Sequence, residues 1–192
     1  MPILKNDAFY CDHLGSSKND LVDIQNFSVR DVRGEGLANY LKNIAVDDEN
    51  NGIMRTYLVR DNFSSELVGY FSLKAGLISF NEESIGTVSD FDTLPGIELA
   101  NFAVNNAYVS KHPKLKGIGF TIFTDFIKPF VKDIAKLVGV KFIYIFALPF
   151  ERLIKQYGRY GFRRLEPEHE TELHRRLKPR YDSECIFMYQ ML

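Results

Sequence analysis

The chain has 192 residues, 45% of them hydrophobic and 26% charged, a length and composition that fit one globular domain and exclude disorder, collagen-like repeats and a membrane bundle. Lys plus Arg (24) nearly balances Asp plus Glu (25), so any attraction to nucleic acid or anionic lipid must come from a local patch. The start, Met1 to Asp7, has no apolar signal core and no run approaches the roughly 18 apolar residues of a membrane span, so a cytoplasmic location without membrane contact is expected. Cys11 and Cys185 are too far apart in sequence for a C-x-x-C motif and read as thiols without special chemistry.

Along the chain, Gly15 to Asp20 and Asp47 to Gly52 read as loops, and Leu37, Tyr40, Leu41 and Ile44 recur at helical spacing within Gly36 to Ala45. Arg55 to Val59 and Leu67 to Leu73 are β-prone runs on either side of the turn chemistry of Asp61 to Ser65, which predicts an antiparallel hairpin. Asn81 to Pro95 is weakly patterned. Ile97 to Tyr108 reads as a central strand.

From Ile122 to Leu137 apolar residues return every three or four positions, predicting a long helix that Gly139 stops and Pro129 kinks. Lys141 to Leu148 is an apolar run suited to a strand buried on both faces. A short helix from Pro149 to about Tyr157, the segment Gly161 to Leu165, a charged stretch and a last strand near Cys185 to Met191 complete the order.

Lys114-Leu115-Lys116-Gly117-Ile118-Gly119 falls between the central strand and the long helix. Glycines at the start of a helix let backbone N–H groups approach an anion, and the helix dipole adds partial positive charge there. Neither G-K-[ST] nor a full G-x-G-x-x-G is present, which argues against a P-loop NTPase or a dinucleotide site. The turn alone is equally compatible with a plain connection.

Its neighbours change that reading. Glu98-Leu-Ala-Asn-Phe-Ala103-Val104, then Lys-x-x-Gly-x-Gly, a long helix, an apolar strand and Tyr157-Gly-Arg-Tyr-Gly161-Phe162 together resemble the GNAT (GCN5-related) N-acetyltransferase family over residues 97 to 165. The resemblance implies an α/β (α+β) single domain covering 1–192, with a mixed, mostly antiparallel sheet of about six or seven strands splayed at the CoA site and flanked by helices. It implies that Phe102, Ala103 and Val104 bind pantetheine through the backbone, and that Lys114, Lys116, Gly117, Ile118, Gly119 and Phe120 hold the pyrophosphate of acetyl-CoA, the cosubstrate. Lys114 stands where the family usually has Gln or Arg, and Asn105 to Pro113 is longer than the usual connection.

Tyr157 matches the family's proton donor to the departing thiolate, and a phenol suits that role. Glu98 matches the glutamate that takes the amine proton in some members, and the Val104 N–H the donor to the thioester oxygen. Structural alternatives are a packed tyrosine and a strand-end glutamate paired with a lysine. His13, His112, His169 and His174 form no metal set, because 169 and 174 are five apart, so no metal is expected. A homodimer is expected from fold-level analogy.

Three functions compete. The balanced charge favours direct acetylation of a primary amine on a small molecule or protein. Tyr40-Leu41, Thr56 to Val59 and Gly69 to Leu73 resemble the GNAT branch of toxins acting on aminoacyl-tRNA, which makes tRNA a partner. The third is a CoA-binding module without turnover. The basic residues Arg152, Lys155, Arg159, Arg163, Arg164, Arg175, Arg176, Lys178 and Arg180 read as a solvated surface, a 3′-phosphate contact or an RNA patch.

Overall fold

In the computed structural model, which describes residues 3–79, 93–176 and 184–192, the chain forms two compact units. One comprises Met1–Lys74 and Ala100–Phe130, the other Ala75–Leu99 and Val131–Leu192.

The first unit begins with a turn made by Asn6, whose Oδ1 accepts the N–H groups of Ala8 (2.9 Å) and Phe9 (2.7 Å). That turn sets β1 (Leu4–Lys5) antiparallel to β2 (Phe9–His13), with Leu4 opposite Cys11. β2 pairs antiparallel with β3 (Arg55–Asp61), and β3 with β4 (Leu67–Ser79), Arg55 facing Leu73. The hairpin is the expected one. Asp61 Oδ1 caps its turn by accepting the N–H groups of Phe63 (2.8 Å) and Ser64 (3.0 Å), and Ser65 takes a left-handed φ of 58°.

Against this sheet lie α1 (Asp20–Gln25), α2 (Glu35–Asn43) and α3 (Ala45–Asn50). Ile24, Phe27, Tyr40, Leu41, Leu58 and Tyr70 form their shared core. The helix read over Gly36 to Ala45 is α2. The loop read over Asp47 to Gly52 is corrected: Asp47 to Asn50 belong to α3, because tertiary contacts outweigh weak propensity. Glu49 on α3 accepts the Thr56 N–H and pairs with Arg55 (2.9 Å) and His13 (3.0 Å). Asp47 and Asp48 sit in the first turn, where the helix dipole favours acids.

The β3–β4 ladder shifts register between Val59 and Arg60, and the Arg60 side chain is buried against α1. Its Nη2 bonds Asp20 Oδ1 (2.7 Å), and its Nη1 bonds Asp23 Oδ2 (2.7 Å) and the Ser65 carbonyl (3.0 Å). Asp20 Oδ2 accepts the N–H groups of Gly15 (2.8 Å) and Ser17 (3.1 Å), tying the preceding loop to the same charge.

β5 (Thr93–Val104) ends earlier than the sequence suggests. Tyr108 is helical rather than extended, because Asn105 Oδ1 accepts the Ala107 N–H (3.2 Å) and starts α4 (Asn106–Lys111). The lengthened connection is therefore a short capped helix. The long helix is observed as α5 (Ile118–Ile122), a π turn (Phe123–Ile127) and α6 (Lys128–Leu137). Pro129 has no N–H for the Asp125 carbonyl, and the expected irregularity takes the form of the widened turn before it, where Lys128 N–H bonds the Phe123 carbonyl five residues back.

In the second unit β6 (Phe142–Ala147) pairs parallel with the first half of β5 and antiparallel with β8 (Ile186–Met191), and β7 (Arg163–Arg164) adds to β8. α7 (Glu151–Arg159) follows β6. Phe142, Tyr144, Leu165, Leu173 and Phe187 form the core. The charged stretch contains α8 (Pro167–Arg176), whose Glu170 accepts the Phe187 N–H (3.1 Å) and pairs with Arg164 (2.9 Å).

The strands hydrogen-bond in the order β1-β2-β3-β4-β5-β6-β8-β7, eight where about six or seven were expected. Most of the weakly patterned Asn81 to Pro95, with Lys178 and Arg180, lies outside the described residues. No described helix is long and apolar enough to cross a membrane. Cys11 and Cys185 are buried free thiols, and burial pushes that of Cys11 up, leaving little reactive thiolate.

Candidate functional site

In the first unit, Gly117 is the residue before the first turn of α5, with φ 71° and ψ 15°. No atom lies within 4 Å of where its Cβ would be. The Thr121 N–H bonds the Gly117 carbonyl (3.0 Å) to close that turn, so the N–H groups of Ile118 and Gly119 precede the first intrahelical bond. Lys114, Leu115, Lys116 and Gly117 are exposed, Phe120 is half exposed at 49%, and Ile118 is buried as the anchor. Lys111 pairs with Glu66, whereas Lys114 and Lys116 pair with no carboxylate among the described residues. Two mobile cations and a helix start thus face solvent together, which is what an anionic diphosphate requires.

β5 delivers Phe102, Ala103 and Val104 just before this connection, with Ala103 buried and its neighbours half-buried. Gly69, which the sequence did not mark as a site residue, explains the close packing there. A Cβ on it would lie 2.8 Å from the Ala103 carbonyl and 2.9 Å from Ile122 Cδ1, so β4, the end of β5 and the helix approach to backbone distance. Asn105 closes the strand end by donating to the Leu67 carbonyl (2.8 Å) and accepting the Ser28 N–H (3.2 Å).

In the second unit, the parallel β5–β6 ladder runs Gly96↔Phe142, Ile97↔Ile143, Glu98↔Tyr144 and ends at Glu98. β6 meanwhile pairs along its whole length with β8, and β5 continues to Val104. Glu98 is half-buried, and its Oε2 accepts the Tyr144 hydroxyl at 3.2 Å. The Tyr144 phenol is pushed up by burial first and by the Glu98 charge second, so it remains a donor to that carboxylate. A Cβ at Gly76 would stand 2.0 Å from that hydroxyl. Neither Tyr144 nor Gly76 carried a readable signal, because their importance exists only in register.

Tyr157 is buried on the inner face of α7, its ring edge-on to Tyr160 (5.8 Å) and Phe162 (5.6 Å). The Tyr157–Phe162 motif is a helix stop with a mechanism. Gly161, at φ 98°, donates to the Gly158 carbonyl (3.0 Å), and Phe162 donates to the Tyr157 carbonyl (3.0 Å) while its ring packs on Tyr157. That is the Schellman arrangement, in which the glycine and the apolar residue after it fix the last helical turn. No described residue hydrogen-bonds the Tyr157 hydroxyl, and burial pushes the phenol up. Gly161→Ala is expected to cost about 1–2 kcal/mol for the left-handed backbone, and its Cβ would meet Gln190 Nε2 at 2.2 Å. A urea unfolding midpoint unchanged from wild type would show that the stop does not need glycine.

Phe102 to Val104 and Lys114 to Phe120 therefore belong to one compact unit, and Glu98 and Tyr157 to the other. No cluster of three or more His, Cys, Asp or Glu side chains suited to a metal ion occurs among the described residues.

No family model and no curated protein sequence matches the chain. Solved structures do. A tyrosine-to-phenylalanine mutant of KacT aligns with TM-score 0.69 and 17% identity over 96% of this chain and 95% of its own. AtaTR bound with acetyl-CoA aligns at 0.64 and 18% over 97% and 94%. AtaT complexed with acetyl-methionyl-tRNAfMet aligns at 0.65 and 18% over 93% and 93%.

The chain has the GNAT fold. Within that fold the shortened β5–β6 ladder is the expected splay, and the glycine start of α5 occupies the strand-helix connection that the resemblance assigns to the cosubstrate.

Proposed function

We propose that this chain is an acetyl-CoA-dependent N-acetyltransferase whose acceptor is the amine of an aminoacyl-tRNA. The observation that carries the reading is the near-complete alignment with AtaT structures bound to acetyl-CoA and to acetyl-methionyl-tRNAfMet. It ranks the aminoacyl-tRNA acceptor above the small-molecule or protein amine that the balanced charge favoured. The exposed glycine start of α5, with Lys114 and Lys116 paired to no carboxylate among the described residues, supports binding of the diphosphate.

Transfer forms an N–C bond between the amine and the acetyl carbon and breaks the C–S bond. In this reading the Val104 N–H stabilises negative charge developing on the thioester oxygen, Glu98 takes the proton lost by the amine, and the Tyr157 phenol protonates the departing thiolate. Lys114 and Lys116 neutralise the diphosphate.

The test is calorimetric titration of acetyl-CoA into wild type and Gly119→Glu, a helical position free of left-handed strain. The new carboxylate should lower affinity at least tenfold, about 1.4 kcal/mol. Thioester consumption is then followed with charged tRNA and with a panel of free amines. Turnover with charged tRNA alone supports the reading; turnover with free amines alone replaces the acceptor. A folded wild type that binds no acetyl-CoA removes the acyltransferase reading.

A further inference from the structure

The stretch Glu151 to Arg164 carries five cations against one carboxylate, in a chain whose formal charge is −1. Arg outnumbers Lys there four to one, although the whole chain has 13 Lys and 11 Arg. That bias toward the planar, bidentate donor is a signature of phosphate recognition rather than of solubility alone.

Two of the five cations are engaged: Lys155 pairs with Glu151 (2.5 Å) and Arg164 with Glu170 (2.9 Å). Arg152, Arg159 and Arg163 are exposed, and no carboxylate of the described residues pairs with them. On α7, Arg152, Lys155 and Arg159 stand at steps of three and four, so they share one face, with Arg152 and Arg159 about 10.5 Å apart along the axis. The opposite face carries Leu153 and Ile154, half-buried, and Tyr157, buried. Arg163 follows on β7, just past the glycine stop that ends the helix.

We infer that the Arg152–Lys155–Arg159 face of α7, with Arg163, is a docking surface for the phosphodiester backbone of RNA. The inference rests on the aminoacyl-tRNA reading for its choice of RNA, and on charge complementarity for the surface itself. It gives α7 two roles: the outer face takes the RNA backbone and the inner face holds Tyr157. The near-neutral whole-chain charge then describes an average, with recognition resting on a patch.

The test is fluorescence anisotropy of a labelled, deacylated tRNA, titrated at several salt concentrations with wild type and with Arg152→Gln/Arg159→Gln/Arg163→Gln. Because each phosphate contact contributes about 0.7 to the slope of log affinity against log salt on a single strand, losing three should flatten the slope by about 2. Affinity at low salt should fall at least tenfold, with melting temperature and acetyl-CoA affinity unchanged. A matching Arg→Lys triple should keep part of the affinity, since charge remains without the bidentate fork.

Unchanged RNA affinity and slope overturn the surface, as does weakened acetyl-CoA binding with RNA binding intact, which would assign the cations to the cosubstrate's phosphate. Wild type that binds no tRNA at low salt overturns the surface and the tRNA acceptor together. A triple variant that loses RNA binding, from a wild type that does not acetylate charged tRNA, keeps the surface and discards the acceptor. A triple variant that still binds RNA, from a wild type that does acetylate it, does the reverse.

Discussion

Tyr157→Phe should lower the rate of acetyl transfer by about 10²–10⁴-fold, the usual share of a positioned proton donor. Acetyl-CoA affinity and unfolding midpoint should stay at wild-type values. The substitution removes one oxygen and keeps the ring that packs on Tyr160 and Phe162. No described residue hydrogen-bonds that oxygen, so its loss strands no partner among them and stability should not move. Because burial pushes the phenol up, it stays protonated across the neutral range, and the loss should be present throughout that range instead of only on one limb. Stopped-flow detection of released thiol against pH measures both points. A variant with the wild-type rate would make Tyr157 a packing residue of the helix stop.

The second large effect falls on stability. Asp20→Ala should cost about 3–5 kcal/mol, the penalty for breaking a buried ion pair by removing one partner, here the more deeply buried of the two carboxylates on Arg60. The Arg60 side chain is 6% exposed and that of Asp20 1%, so water cannot take the place of the carboxylate. The same carboxylate also accepts two backbone N–H groups from the Gly15–Ser17 loop, which lose their acceptor. Asp20→Asn should cost less, because an amide oxygen still accepts hydrogen bonds while the ion pair is gone. Urea unfolding of the three proteins decides. Equal stability of Asp20→Ala and wild type would mean that Asp23 and the Ser65 carbonyl suffice for the guanidinium.

What the sequence disclosed depends on whether the cause is local. The β3–β4 hairpin was legible because Asp61 supplies its own turn bonds, and β6 because an apolar run suits a central strand. α3, α4 and α8 were not. Each has ten residues or fewer, and each is held by contacts outside the helix itself: Glu49 to Thr56, Asn105 to Leu67, Glu170 to Phe187. β2 was missed because its partner β3 is remote in sequence, with Phe9 facing Asp61 and His13 facing Tyr57.

The candidate site divides in the same way. The glycine start of α5 and the Tyr157–Gly161–Phe162 stop are local geometries that glycine placement announces. Tyr144 beside Glu98, and Gly69 against Ala103, are produced by strand register and no local pattern encodes them. The acceptor was ranked from net charge, which averages away the arginines of α7 and β7.

Gly76 and Tyr144 will shape how this sequence drifts. With only 2.0 Å between a Cβ at position 76 and the hydroxyl at 144, no side chain fits at 76 while that hydroxyl keeps its place. The two positions are therefore coupled. Alanine at 76 requires the Tyr144 ring to move or its hydroxyl to be absent, and either change disturbs the hydrogen bond to Glu98.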